Sequence, residues 1–237
     1  MRRTIFIICS ILFINSCLSA QNDKPVTVKA GERVIDCFPV NERYRYPNFT
    51  EGKCIFKNGK IISNKFNYNF LTGEMEFIQL TDTLSISDKK DIKSIVIAQD
   101  TFYYHNDYLE MILSGPFRVY LKQHVVIKDI LKKGAFGTTN RNSAIESYSY
   151  VVSGNVSYDL IPDEDLVLQK TSKYYYSTSV NDFIQFNRKN IIQILPGKED
   201  VIKNYLKANK IDFESGDDLL RLAGFLSNLL SENPEKL

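Results

Sequence analysis

The chain has 237 residues, with 30 Lys+Arg against 28 Asp+Glu, two His, four Cys, 14 Tyr, 15 Phe and no Trp. Residues 1–20 hold Arg2, Arg3 and no acid, so without them the net charge of +2 vanishes and no cationic excess argues for nucleic-acid binding. Neither His105 nor His124 has a histidine or cysteine at metal-ligand spacing, so the sequence implies no metal and no cofactor.

The first element is an export signal. Arg2 and Arg3 form a positive n-region, residues 4–14 an apolar core too short to span a bilayer, and residues 15–20 a small, polar end. Cleavage after Ala20 is expected, giving an exported protein that is periplasmic, envelope-associated or secreted. Ser16 before Cys17 also fits lipoprotein processing, which would put a lipid anchor on Cys17; Asn15 fits that pattern poorly. No second long apolar run follows, so no transmembrane span is expected in the mature chain.

Residues 21–48 read as an N-terminal lead segment. A run at 53–57 closes on Asn58-Gly59, a strong hairpin signal. Phe66, Tyr68 and Phe70 then alternate with Asn67 and Asn69, Thr72-Gly73 turns the chain, and 74–77 alternates again, predicting a meander over 53–80. Further strands are predicted at 82–86, 92–97, 101–104, 117–121, around 148–158, and at 165–169, 173–178 and 182–187. Residues 132–144, with Gly134 and Gly137, read as a surface loop.

After Pro196 the apolar period becomes helical. Helices are predicted near 198–209 and 216–230, the second with Ser215 and Asp218 at its start and Leu219, Leu222, Leu226 and Leu229 on its buried stripe. The expected fold is α+β: a predominantly antiparallel β body over 49–195, with two C-terminal helices in 196–237 packed on it.

The candidate chemistry is thin. Tyr174 and Tyr176, with Tyr103 and Tyr104, are the candidate binding rings. Alternation sends Tyr175 to the opposite face from Tyr174 and Tyr176, so one of those faces belongs to the core. Cys37 and Cys54 are a candidate disulfide, since export permits one; the expected reading is two free, buried thiols acting as small apolar groups. Glu74 and Glu76 share one strand face and are the carboxylates a hydrolase would use.

The stretch Phe-Asn-Tyr-Asn-Phe-Leu-Thr-Gly-Glu-Met-Glu-Phe-Ile at 66–78, with Asp82-Thr83-Leu84, resembles a pattern in a family of secreted bacterial proteins of unknown function. Lys133-Gly134-Ala135-Phe136-Gly137-Thr138 and the end from 191 to 222 resemble it too. The resemblance implies export and a single repeated architecture, and carries no activity.

The expected function is an exported, non-enzymatic envelope or secreted module that binds an envelope protein or a glycan, or serves structurally. The alternative is a secreted hydrolase using carboxylate chemistry.

Overall fold

The computed structural model of the chain describes residues 24–133, 139–141, 160–179 and 182–231. Aromatic and β-branched side chains suit a pleated surface, and the described strands form one antiparallel sheet. They are β1 (Val26–Val28), β2 (Thr50–Phe56), β3 (Ile61–Asn69), β4 (Glu74–Gln79), β5 (Asp82–Ser85) and β6 (Ile92–Ile97). The rest are β7 (Asp100–His105), β8 (Asp107–Leu113), β9 (Arg118–Lys133), β10 (Thr139–Arg141), β11 (Asp165–Ser177) and β12 (Ile184–Gln185). The order is β1-β11-β9-β8-β7-β6-β2-β3-β4-β5, with β10 beside β9 and β12 beside β11. Helices α1 (Val40–Arg43), α2 (Arg188–Ile192), α3 (Glu199–Ala208) and α4 (Gly216–Ser231) make the fold α+β.

The meander forms as its alternation predicts. Gly59 takes φ +86° in the β2–β3 turn and Gly73 φ +69° in the β3–β4 turn, a conformation that glycine adopts without a Cβ clash. Phe66 lies opposite Phe77 and Tyr68 opposite Met75, so these four share one face.

Two long strands organise the rest. β9 and β11 pair along almost their whole lengths, with a register shift between Val167 and Leu168. One face of this ribbon serves two cores. Val119 and Leu121 of β9, with Tyr174 and Tyr176 of β11, are buried with the C-terminal helices. Val125, Leu166 and Leu168, on the same face further along, are buried against Phe66, Tyr68, Phe70 and Phe102 of the rolled sheet. The roll closes where Val125 N–H donates to the Phe70 carbonyl (2.8 Å) and the Tyr68 hydroxyl donates to the Gln123 carbonyl (2.8 Å).

The helices complete the second core. Leu219, Leu222 and Leu226 are fully buried and Leu229 nearly so, as their spacing predicts. Asp218 N–H donates weakly to Ser215 Oγ at the start of α4 (3.4 Å). Tyr205 of α3 stacks on Phe225 of α4 with ring centroids 3.9 Å apart.

Several boundaries differ from the predicted ones. Of the lead segment expected at 21–48, the described residues from Lys24 on are tied into the fold: β1 pairs with β11, and Val34 and Phe38 are core residues. The strands expected at 165–169 and 173–178 are one strand, because the half-buried residues between them stay paired to β9. Residues 107–113, for which the sequence pattern predicts no strand, form β8. Only Ile184–Gln185 of the run at 182–187 is strand, since Asn187 caps α2 by accepting a bond from Asn190 N–H (3.0 Å). The strands expected around 148–158 lie outside the described residues. Of the loop expected at 132–144, the described part belongs to β9 and β10.

Candidate functional site

Sheet order forces a crossing. β5 lies at one edge, whereas the next strand, β6, lies on the far side of β2. Residues 86–91 bridge that gap over the face that carries Phe66 and Phe77. This strap is fastened at several points. Ile86 N–H donates to the Met75 carbonyl (3.2 Å) and Lys57 N–H to the Asp91 carbonyl (2.8 Å). Lys89, in the 3-10 turn that ends the strap, forms an ion pair with Glu74 of β4.

Between strap and sheet lies an open pocket of about 200 Å³. Its floor is Cys54 and Phe56 of β2, Ile62, Asn64 and Phe66 of β3, and Phe77 of β4; its wall is Ser85, Ile86, Ser87 and Asp88. Phe66 and Phe77 meet at 6.3 Å between ring centroids. Gly52 makes room for the Phe66 ring and the β6 backbone: a Cβ there would stand 3.0 Å from the Phe66 ring and 2.6 Å from the Val96 carbonyl oxygen. The lining is mostly apolar, with the Asn64 amide on the floor and the hydroxyls of Ser85 and Ser87 and the Asp88 carboxylate on the wall, a few polar groups in an apolar surface as in small-molecule sites. Burial pushes the Cys54 thiol up to about 11, so it is protonated at neutral pH and acts here as an apolar surface.

The candidate residues scatter. Tyr174 and Tyr176 are 5% and 3% exposed, so their rings belong to the core under the helices and offer no open binding surface. Phe117 stacks on Tyr176 at 5.1 Å, and burial raises the Tyr176 phenol to about 12. Tyr104 packs edge-on against the buried Tyr108. Tyr103 is half-buried on the other face of β7, touching Tyr120 at 5.5 Å and Phe183 at 6.0 Å. Cys37 and Cys54 are both free thiols, so the candidate disulfide is absent. The Cys37 thiol lies 3.9 Å from a Glu32 carboxylate oxygen.

The two glutamates of β4 hold structure together. Glu76 is 1% exposed and accepts bonds from the Tyr44 hydroxyl (2.7 Å) and the Asn69 amide (2.9 Å); Glu74 anchors the strap through Lys89. A second polar cluster, with no signature in the local sequence, joins Arg45 to Glu110 through two bonds of 2.9 Å. The Tyr46 hydroxyl donates to Asp100 beside it (2.7 Å). The bidentate bond to Glu110 holds the Arg45 guanidinium firmly charged. These residues are 65 positions apart in the chain, and no local pattern announces the pairing.

Among the described residues, no group of His, Cys, Asp and Glu is placed to hold a metal ion, and no helix is long and apolar enough to cross a membrane. The chain matches no protein-family model, no curated protein and no solved structure.

Proposed function

We propose that the protein is an exported, non-enzymatic binding module that holds an apolar group in the pocket beneath the strap. The pocket carries this reading: its lining is predominantly carbon, and its one cysteine is protonated at neutral pH. An apolar cavity of roughly 150 Å³ accepts benzene, so about 200 Å³ suits one aromatic ring or the end of an alkyl chain. Asn64, Ser87 and Asp88 would meet the polar end of such a ligand.

The test uses a fluorescent dansylated fatty acid as probe. The protein is expected to enhance its emission and to release it when unlabelled fatty acid is added. Asn64→Phe places a ring on the pocket floor at a half-exposed position. It should weaken probe binding at least tenfold while leaving the melting temperature within a few degrees. Equal probe binding by this variant and the parent would overturn the assignment.

A further inference from the structure

Moving along β3 from Phe66 towards Ile61 means moving along β4 from Phe77 towards Leu80, because the two strands are antiparallel. The β2–β3 turn, the β4–β5 turn and the start of β6 therefore gather at one end of the sheet. Four of the seven large apolar side chains left open to solvent among the described residues gather there too; Val40, Ile161 and Val201 lie elsewhere. Leu80 is 94% exposed, Ile61 57%, Leu84 41% and Ile62 38%. Ile62 also lines the strap pocket, so the pocket and this exposed end share a residue.

Leu80 is doubly unfavourable where it stands. Its side chain is almost wholly in water, and its backbone takes φ +57°, the left-handed region where a bulky residue is strained and Gly, Asn or Asp is the ordinary choice. Leucine is an unfavourable choice at this turn, and unlike Ala98 and Lys210, which share the left-handed region, it also exposes a large apolar side chain. Lys57 and Lys60 bracket the neighbouring turn, Lys57 donates to the Lys90 carbonyl, and Lys93 follows in β6. Asp82, Asp88 and Asp91 lie at the same end; with Lys89 paired to Glu74, that leaves Lys57, Lys60, Lys90 and Lys93 against three aspartates.

We infer that this end of the sheet docks on a lipid surface bearing anionic headgroups, and that the group entering the strap pocket is an acyl chain of that lipid. Leu80 and Ile61 enter the headgroup–acyl boundary, as exposed apolar residues do at a membrane interface. Lys57 and Lys60 meet the phosphates, an attraction that fades within a Debye length as salt is added. The acyl-chain part rests on the pocket reading above; the docking part does not.

The experiment is co-sedimentation of the purified protein with vesicles of equimolar phosphatidylglycerol and phosphatidylcholine, beside vesicles of phosphatidylcholine alone. The mixed vesicles should bind at least fivefold more tightly, and the preference should shrink with added salt. Leu80→Asn removes the apolar side chain and suits φ +57°, so vesicle binding should fall at least tenfold while the melting temperature holds or rises. Ile61→Asn should act in the same direction. Lys57→Gln with Lys60→Gln should abolish the preference for phosphatidylglycerol. Asn64→Phe should lose the fatty-acid probe and weaken vesicle binding less than Leu80→Asn does. Vesicle binding unchanged by Leu80→Asn and Ile61→Asn would overturn the docking surface. So would a concentration-dependent dimer lost in Leu80→Asn, which would give this end to a second copy of the chain. Vesicle docking with no fatty-acid uptake would remove the pocket reading and the acyl chain with it, leaving the docking surface standing.

Discussion

Gly216 opens α4 where a Cβ would stand 2.7 Å from the Tyr174 hydroxyl and 3.4 Å from the carbon that bears it. The tyrosine is fixed in the core between β11 and the helices, so it has little room to yield. Gly216→Ala is therefore expected to destabilise the protein by about 1–3 kcal/mol, the usual penalty of overpacking. Tyr174→Phe removes the clashing oxygen and leaves an ordinary contact. Urea unfolding of the two single variants and the double variant forms a cycle in which the double should be more stable than the sum of the singles. Additive losses would show that the hydroxyl is not what excludes a side chain at 216.

At the scale of elements, α4 is legible because its apolar positions recur on one stripe and its partner surface is large. Leu222 is fully buried among the helices and β9. Leu222→Ala should lower the unfolding free energy by about 2–5 kcal/mol, the range for deleting a buried leucine side chain, measured as a shift in urea midpoint at unchanged slope. A loss below about 1 kcal/mol would mean that α4 is not held by this stripe. The strap is the contrary case. Residues 86–91 have no period and no strong turn pair, since their conformation follows from the need to carry the chain from β5 to β6. Strands β3 and β4 were readable because each alternates within itself. β8 was not, because its buried run from Tyr108 to Glu110 is continuous and breaks the two-residue alternation.

His124 ties a single protonation to the stability of the whole molecule. It lies in β9 beside Val125, the point where the strand passes from β8 to the closure of the roll. Burial first, then the charges of Lys122 and Lys173, lower its pKa to about 3 from an ordinary value of 6.5. The unfolded chain therefore binds this proton at a higher pH than the folded one. The stability so gained is fully present above pH 6.5 and is lost as the pH falls towards 3. One such proton contributes a slope of up to about 1.4 kcal/mol per pH unit in that window. His124→Gln should flatten the fall in melting temperature between pH 6.5 and 4. Parallel curves for variant and parent would place the acid sensitivity elsewhere.

Local pattern determined the α+β class, the meander and its turns, and both long C-terminal helices with the buried stripe of α4. Periods of two and of 3.6 residues need only neighbours in sequence to be read. Which face of each strand would stay open needed the tertiary structure. Tyr174 and Tyr176 look like Tyr103 in sequence, yet the helices fold over the first two. Cys54 looked like half of a disulfide and became the floor of a pocket, because the route from β5 to β6 crosses its face. Arg45 and Glu110 meet only when the sheet has rolled. Burial and cross-chain contact depend on how distant segments share one face, and that information is not written in any single segment.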